Sequence, residues 1–422
     1  MPRPFVIQGA HVVAPGRDLG VVDVRVGADS RIAAVGGAAA APHPEDEIVA
    51  ADGLTLLPGF VDIHSHGRGG FDFSDATDEA FDAIGRGKLA DGVTSFLATG
   101  LTLPEDRLEA LCRTAARYMA RGGDAASRPR LPDVATRLKA ASPCGAACLG
   151  VHLEGPFFNP KMAGAQNPAH LRDPDAALVK RLHAICPVRI VSLAPELPGA
   201  EACIRELAAA GIVVSGGHTE ADYAVFESAR AAGMRHLTHF CNAMLPAHHL
   251  RPTIVNGGLV ADDMLVEIIC DGVHLSDAMI RLVAKAKGPD GAMLVTDAMR
   301  AAAQPDGLYD LGGLRVRVER GRATLADVPF DPKAVVSNVA GSVALFPDCF
   351  RRWARLCGFP LHEAIKAAGW NQLRSLGIAD RGDIAPGQVA DLVLVDADLD
   401  PRLSFASGRE GAKSRRCGES HG

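Results

Sequence analysis

The feature that most constrains the fold is an alternation of short, almost continuously apolar segments with longer amphipathic segments. Unbroken apolar strands are typical of parallel sheets that are covered on both faces. The segments between them begin with a capping Thr or Asp, or with Pro and acidic residues, and end at Gly, as helices do. Eight such repeats predict an α/β fold, the (β/α)8 TIM barrel, which needs ~250 residues. The strand candidates are 57–63, 93–98, 148–154, 188–193, 212–216, 235–239, 265–270 and 292–296.

The two ends of the chain depart from this repeat. Short apolar clusters between Gly, Pro and Asp turns fill the first sixty residues, and APGQVADLVLVDAD reads as a turn and a strand. We therefore expect a small β-sandwich domain from residues 1–59 and 377–400, beside a barrel domain over 60–376. The polar, Gly- and Arg-rich tail 401–422 is expected to be disordered.

Three further stretches interrupt or complete the barrel. Residues 121–147 are rich in Gly, Ala, Pro and Arg and predict an extended surface excursion. Residues 308–326 alternate between apolar and polar side chains, which predicts a β-hairpin after the eighth strand. Helices around 342–356 and 361–375 are expected to close the barrel.

Composition and charge narrow the range of partners. With 48% hydrophobic and 22% charged residues, the chain can bury a large core. The formal net charge of −6 argues against nucleic acid, because a phosphate backbone favours a basic surface. No apolar run has the length of a signal peptide or a membrane span, so we expect a cytoplasmic protein with no membrane partner. The ten cysteines include no CxxC pair and are expected to be reduced.

The first barrel strand ends in His64-Ser65-His66, which is the strongest local signal. Residues i and i+2 of a strand point to the same side, so both imidazoles can reach one metal ion. The position matters as well, since TIM-barrel active sites lie at the C-terminal ends of the strands. Alone, an HxH pair is weak evidence, because two polar residues at a strand end need no metal.

Other strand ends also carry side chains that can bind metal. A barrel is normally filled by Val, Ile and Leu, and converging His, Glu and Asp side chains need a cation or one another, since unpaired buried charges are costly. Each residue alone could simply be hydrogen-bonded, but together they favour a metal centre. Nitrogen and oxygen ligands without thiolate suit zinc, iron, manganese or cobalt. The residues are Glu154, His218, His239, His274 and Asp297.

A metal centre of this kind predicts hydrolytic chemistry. The ion lowers the pKa of a bound water, which creates hydroxide near neutral pH, and it can polarise a carbonyl. Asp297 is the candidate general base and acid, because a carboxylate beside that water can take its proton and hand it to a leaving amine. His274 could bind the substrate or steady the developing oxyanion. His236, by contrast, is expected to be a packing residue.

Taken in order, the motifs resemble those of the N-acetylglucosamine-6-phosphate deacetylases, a family of the amidohydrolase superfamily. The resemblance covers the chain from about residue 5 to 396, and HLEGP and the pattern around LTHFCNAM are its specific parts. It implies hydrolysis of the acetamide of an N-acetylated amino-sugar phosphate to acetate and the amino-sugar phosphate. The segments are PGFVDIHSHGRGG, DGVTSFLATG, LGVHLEGPFFNP, VSLAPE, VVSGGHT, HLTHFCNAM, EIICDGVH and LVTDAM.

The resemblance also implies a set of metal ligands. Glu154, His218 and His239 match the ligands of the metal that all members share. His64 and His66 match the subset of members that have HxH after the first strand, where a second ion can bind. The resemblance therefore implies one or two divalent ions per subunit.

The substrate contacts follow in the same way. Asp297 matches the catalytic acid/base, and His274 matches the substrate-binding histidine. Asn242 and Ala243 match the loop that contacts the sugar phosphate. Family members are usually homodimers, in which an Arg from the neighbouring subunit reaches the phosphate.

Several positions depart from the family pattern. HHLRPT replaces the usual REPG, which makes Arg251 the candidate phosphate clamp, with His248 and His249 beside it; a plain surface loop is the competing interpretation. Gln166 stands where the family often has His, and Asn371-Gln372 stands where it often has NPA. The usual final strand is replaced by RLSFASGREGAKSRRCGESHG. These changes leave open which sugar is used and whether its phosphate is required.

Two other functions remain open at this stage. An amidohydrolase acting on a cyclic amide, a nucleobase or an N-acyl-amino acid is the first. Many such enzymes bridge two metals with a carboxylated lysine on the fourth strand, and VRIVSLAPE has no lysine. The second is a catalytically inactive barrel that binds a sugar or a partner protein, which should have lost Asp297 or a ligand.

Overall fold

The computed structural model describes residues 3–122, 145–329 and 338–410. The strands are β1 Phe5–Gln8, β2 His11–Ala14, β3 Arg17–Val21, β4 Val24–Val26, β5 Ile32–Val35, β6 Glu47–Ala50, β7 Thr55–Pro58, β8 Phe60–Asp62, β9 Gly67–Arg68, β10 Phe71–Asp72, β11 Val93–Gly100, β12 Ala147–Glu154, β13 Val188–Leu193, β14 Val213–Gly216, β15 His236–Leu237, β16 Leu265–Ile269, β17 Ala292–Val295, β18 Gly307–Leu311, β19 Leu314–Glu319, β20 Arg322–Leu325, β21 Leu392–Val395, β22 Pro401–Ala406 and β23 Arg409–Glu410. The helices are α1 Asp78–Ala90, α2 Glu105–Gly122, α3 Ala176–Ile185, α4 Ala200–Ala209, α5 Tyr223–Ala232, α6 Ile254–Val260, α7 Asp277–Lys287, α8 Phe346–Leu356, α9 Leu361–Ala364 and α10 Trp370–Ser375.

Eight parallel strands form the barrel, and their spatial order follows the chain: β8-β11-β12-β13-β14-β15-β16-β17. The first and last of these strands meet beyond their C-terminal ends. The backbone N–H of Asp297 donates to the carbonyl of His64 at 2.9 Å, and the Thr296 hydroxyl donates to the Asp62 carboxylate at 2.7 Å. The predicted (β/α)8 TIM barrel is therefore confirmed.

The first predicted barrel strand, 57–63, divides into two. β7 pairs with β2 and β21 in the terminal domain, whereas β8 pairs with β11 in the barrel. The break falls at Gly59, where an added Cβ would lie 2.2 Å from the Thr94 side chain. Only a glycine lets the chain pass so close to the neighbouring strand as it crosses between domains. The other seven predicted strands lie within a few residues of their predicted bounds.

The terminal domain consists of two sheets, with orders β5-β4-β1-β6 and β23-β22-β21-β7-β2-β3. Apolar side chains from both sheets pack between them, for example Ile7 and Val24 from one and Leu56 and Leu392 from the other. Both chain ends therefore contribute to one β-sandwich, as predicted.

The prediction that the tail is disordered from residue 401 is wrong for its first ten residues. β22 pairs antiparallel with β21, and β23 continues the same sheet. Phe405 is buried and stacks on Phe5, with ring centroids 4.9 Å apart. The alternation of Leu403 and Phe405 with exposed Arg402 is short, and the polar residues that follow masked it in the sequence. Residues 411–422 lie outside the described residues.

One further prediction needs correction, and another concerns residues that the structure describes only in part. The region 308–326 is a three-stranded meander, β18-β19-β20, because a second tight turn at Arg320-Gly321 adds a strand to the predicted hairpin. The predicted excursion 121–147 lies mostly outside the described residues. The closing helices are confirmed as α8, α9 and α10, although the first begins only at Phe346. Within the described ranges, no helix combines the length and apolarity that a membrane crossing requires.

We expect Phe405→Ala to lower the free energy of unfolding by about 3 kcal/mol or more, because it leaves a cavity between the two sheets. Arg402→Ala is the matched control on the same strand. The Arg402 side chain is 58% exposed and pairs with Asp396 at the surface, so its loss should cost under ~1 kcal/mol. Urea denaturation measures both values. Equal, small effects would show that β22 does not contribute to the sandwich core.

Candidate active site

Metal-capable side chains converge at the C-terminal rim of the barrel. His64 and His66 follow β8, Glu154 ends β12, and His218, His239 and Asp297 each stand two residues beyond a strand end. All six are buried. The structure therefore brings together every metal ligand predicted from the sequence, together with the predicted acid/base.

Glu154 and two histidines form the first group. Glu154 Oε1 lies 3.2 Å from His218 Nε2 and 3.1 Å from His239 Nε2, and these two ring nitrogens are 3.0 Å apart. Two imidazole nitrogens and a carboxylate oxygen that face one point are the donor set that zinc and similar divalent ions prefer.

A second group adjoins the first on the other side of Glu154. His66 Nε2 lies 3.1 Å from Glu154 Oε2 and 3.1 Å from Asp297 Oδ1. His64 Nε2 lies 3.6 Å from Asp297 Oδ1 and 3.7 Å from Glu154 Oε1. Candidate ligand atoms of His64, His66 and Asp297 lie within 4.8 Å of one another. Glu154 thus stands between two potential ion positions.

The hydrogen bonds on the far side of the rings suit metal binding. His218 Nδ1 lies 2.9 Å from the Met162 carbonyl, and His66 Nδ1 lies 3.3 Å from the Thr99 carbonyl. A carbonyl only accepts, so each Nδ1 carries the proton and each Nε2 presents a lone pair to the site. His64 Nε2 is buried without any hydrogen-bond partner. The donor set therefore fits a divalent cation.

The electrostatics lead to the same conclusion. Burial opposes protonation of His66, yet the Asp297 and Glu154 carboxylates outweigh it and raise the pKa of His66 to about 10. Burial likewise opposes ionisation of Asp297, but His66 and His64 lower its pKa below the usual range. The site therefore attracts positive charge, and a bound cation would take the place of those protons.

Three of the site residues have a left-handed backbone, which non-glycine residues rarely adopt. The φ angles are 49° at His218, 28° at His239 and 48° at Asp297. Ala243, in the loop after β15, has a φ of 50°. Strained backbone of this kind persists where the surrounding structure holds it, and it concentrates at functional sites.

A cleft that is open to solvent lies above these residues. Asn242, Ala243 and His274 line it, as the sequence analysis predicted for substrate contacts. Arg251 and His249 do not line it, because they lie on an exposed loop. Among the described residues, no Lys or Arg lines the cleft.

His274 is held by a carboxylate that the sequence analysis missed. Its Nδ1 lies 2.8 Å from Asp271 Oδ2, while Asp271 Oδ1 accepts from the backbone N–H groups of Val273 and His274. Burial opposes protonation of His274, but Asp271 raises its pKa. The DGVH spacing could have indicated this contact, since it places the two side chains three residues apart in one turn.

Gln166, noted only as a departure from the family pattern, has a specific place in the site. Its amide Nε2 donates to Glu154 Oε2 at 2.6 Å, and its Oε1 accepts from Thr102 N at 2.8 Å. Both ends of the amide are therefore used, which fixes its orientation and that of the Glu154 carboxylate. Glu267 was also missed, although a lone charged residue in the apolar strand LVEII is a visible signal.

Comparison with known proteins places this geometry in a family. Residues 55–413 match the amidohydrolase family. The N-acetylglucosamine-6-phosphate deacetylase of Lysinibacillus sphaericus is 32% identical over 359 residues, with 85% of each chain covered. That of Bacillus subtilis is 34% identical over 365 residues, with 86% of each covered. This chain belongs to the N-acetylglucosamine-6-phosphate deacetylase family of amidohydrolases.

Solved structures of this deacetylase family have the same architecture. A mutant N-acetyl-D-glucosamine-6-phosphate deacetylase from Mycobacterium smegmatis, in complex with N-acetyl-D-glucosamine-6-phosphate, superposes with a TM-score of 0.83 at 32% identity, covering 98% of this chain and 100% of that one. The resemblance noted in the sequence is thus confirmed over the barrel and the β-sandwich together.

A divalent cation should stabilise this chain by binding the folded state. At one hundred times its dissociation constant, the ion adds about 3 kcal/mol, which raises the unfolding temperature by several degrees above that of chelated protein. Glu154→Gln should abolish most of this rise, whereas Glu220→Gln, a partly exposed carboxylate near His218, should keep it. Differential scanning calorimetry with and without added Zn²⁺ measures the rise. An undiminished rise in Glu154→Gln would contradict the assignment.

Proposed function

We propose that this chain hydrolyses the acetamide of N-acetylglucosamine-6-phosphate to acetate and the amino-sugar phosphate. The observation that carries the proposal is the double group around Glu154, which lies at the base of a cleft in a chain of the deacetylase family. Asp297 and the candidate ligands are all retained, which argues against an inactive, sugar-binding barrel. The fourth barrel strand has no lysine, which argues against the carboxylated-lysine type of amidohydrolase.

In this proposal, Glu154, His218 and His239 hold one divalent ion, and His64 and His66 hold a second beside Asp297. Zinc, iron, manganese or cobalt would suit these ligands. When bound, such ions lower the pKa of water and polarise a carbonyl oxygen. The short contacts of Glu154 on both sides, 3.1 Å to His239 and 3.1 Å to His66, support a role for its carboxylate between the two positions.

Asp297 carries the proton in the reaction. Water adds to the carbonyl carbon of the acetamide, the C–N bond breaks, and the Asp297 carboxylate takes a proton from the water and gives it to the leaving nitrogen. Its position supports this role, because it lies beside His66 and lines the cleft where the substrate would bind. Its lowered pKa keeps it ionised and ready to accept a proton.

His274, Asn242 and Ala243 orient the sugar. His274 shares a proton with Asp271 through Nδ1, which leaves Nε2 as its remaining polar atom for the substrate. Asn242 is fixed by donating to the His239 and Phe240 carbonyls at 3.1 and 3.3 Å. Because these side chains are already fixed, they can hold the substrate in one orientation. Less orientational freedom is then lost on reaching the transition state.

The phosphate clamp comes from a second protomer in this proposal. The loop that carries Arg251 is a tight turn, because His248 Nδ1 accepts from the backbone N–H groups of Leu250 and Arg251 at 3.1 Å each. This turn presents Arg251 and His249 outward, away from the cleft of their own chain. In a cytoplasmic homodimer they would reach the phosphate of the neighbouring site, where a guanidinium binds phosphate bidentately.

Asp297→Asn should lower kcat for N-acetylglucosamine-6-phosphate by at least ~100-fold, the contribution typical of a general acid–base residue. The amide keeps the size of the side chain, so bound metal should remain. Steady-state acetate release and metal analysis of the same preparation test both parts. Retained turnover would refute the assigned role, and loss of metal would make Asp297 primarily a ligand.

The phosphate requirement is tested by comparing N-acetylglucosamine-6-phosphate with N-acetylglucosamine and with epimeric N-acetylated sugar phosphates. We expect kcat/KM to favour the phosphorylated sugar by roughly 100-fold or more, the effect of one strong charge-assisted contact. Arg251→Ala should remove most of this preference and leave turnover of the unphosphorylated sugar unchanged. Equal turnover of both sugars would favour the alternative, a deacetylase of unphosphorylated N-acetyl sugars. The described residues that line the cleft include no lysine or arginine, which agrees with that alternative.

A further inference from the structure

Glu267 is a buried carboxylate in the middle of β16, directly beneath the candidate metal ligands. Its Oε2 lies 2.8 Å from His64 Nδ1 and accepts from the backbone N–H of His239 at 3.1 Å. The residue is fully buried. A carboxylate in a parallel-barrel strand is costly, because such interiors are normally filled by Val, Ile and Leu.

The neighbouring rings do not account for this carboxylate. His152 lies in the same layer, but its Nδ1 is paired with the Ile63 carbonyl at 2.9 Å and its Nε2 with Ser192 Oγ at 2.8 Å. His64, His152 and Glu267 are close enough to be read as a third metal group. The 2.8 Å contact between His64 and Glu267 is a direct hydrogen bond, and it leaves no room for an ion between them. Among the neighbouring imidazole rings, Glu267 therefore forms its hydrogen bond with His64.

We propose that Glu267 is a positioning residue that controls occupancy of the second ion position, the one held by His64 and His66 beside Asp297. This inference rests on the proposed function in taking that position as a metal site. It adds that the His-x-His pair binds an ion tightly only when a carboxylate stands behind its first histidine.

The geometry gives two reasons for this dependence. First, a carboxylate at Nδ1 holds the ring proton there, so that His64 Nε2, which is buried and without a partner, turns its lone pair to the ion. Second, two cations held on either side of Glu154 would repel each other and would need nearby negative charge. Glu154 and Asp297 supply part of that charge, and Glu267 adds one more behind His64.

The hydrogen bond to His239 N allows a competing explanation. If Glu267 served mainly to hold the backbone of His239, its loss would disturb the ion held by Glu154, His218 and His239. The two explanations therefore differ in which ion is lost, and not merely in whether activity falls.

Glu267→Gln separates these explanations, because the amide keeps the size and an acceptor oxygen but removes the charge. Each protein would be stripped with a chelator, reloaded with Zn²⁺ and analysed for bound metal per chain, and both affinities would be measured by chelator competition. We expect two ions in the unaltered chain. In Glu267→Gln one of the two ions should bind at least 10-fold less tightly, while the other is unaffected, in line with the effect of other partners behind metal-binding histidines.

Ser215→Ala is the matched control in the same polar layer. Ser215 Oγ contacts Thr238 Oγ1 at 2.6 Å and belongs to a different strand from Glu267, so its loss should leave both affinities unchanged. If Glu267→Gln does not fold, His64→Gln and the double variant His64→Gln/Glu267→Gln take its place. With His64 already absent, removing the carboxylate should not change the affinity of the remaining ion.

Three results with the unaltered chain and Glu267→Gln would overturn the inference. These are one ion per chain in the unaltered protein, unchanged affinities in Glu267→Gln, or equal weakening of both ions. A lower affinity of the double variant than of His64→Gln would count in the same way. Metal counting is independent of the substrate assay. A chain that binds two ions but does not deacetylate the sugar phosphate would contradict only the proposed activity. A one-ion deacetylase would contradict this inference and the second ion position, but not the proposed activity.

Discussion

The site depends on one carboxylate whose two oxygens face different histidines. Glu154 Oε1 meets His218 and His239, and Oε2 meets His66. The Gln166 amide holds Oε2 at 2.6 Å, so the carboxylate does not rotate freely between the two groups. A bridging geometry of this kind arises only if several strand ends are fixed to within a fraction of an ångström, which a closed parallel barrel provides.

The barrel interior beneath that rim contains buried polar side chains as well as apolar ones. A chain of hydrogen bonds runs beneath it, with Ser192 Oγ bonded to His152 Nε2 at 2.8 Å and to Thr238 Oγ1 at 2.6 Å, and Ser215 Oγ bonded to the same threonine. Each of these polar side chains is satisfied by another, which lowers the cost of burying them. His236 is the exception, since both ring nitrogens are buried without a hydrogen-bond partner, and burial lowers its pKa to about 4. It remains a neutral packing residue, as its sequence context indicated.

The sequence predicted those parts of the site that follow from strand ends. The sequence identifies the candidate ligands at strand ends, such as His64, Glu154 and His239, because all strands of a parallel barrel end at one rim. Glu267 was not readable in this way, because its role depends on pairing across the barrel with a residue 203 positions away. The local sequence LVEII does not indicate which strand the Glu267 side chain will face.

The terminal strands also depend on contacts between distant parts of the chain, which local sequence does not show. β22 is held by its pairing with β21 and by the stacking of Phe405 on Phe5 at the opposite end of the chain. A short alternation of apolar and polar residues does not identify a strand unless its partner strand is known. The sequence of the tail alone therefore predicts disorder. Local patterns identify an element best when its burial is continuous, as in the barrel strands.

The candidate phosphate contact and the groups suited to bond cleavage lie on different parts of this fold. The groups suited to cleavage all lie on one chain, at the rim of its own barrel. The described residues lining the cleft supply histidine, amide and carboxylate groups but no permanent cation, and Arg251 points outward on a turn held by His248. A phosphate in this cleft meets no lysine or arginine among the described residues of the cleft wall. In the proposed homodimer, association between protomers sets the charge preference, while the candidate metal ligands are complete within each protomer.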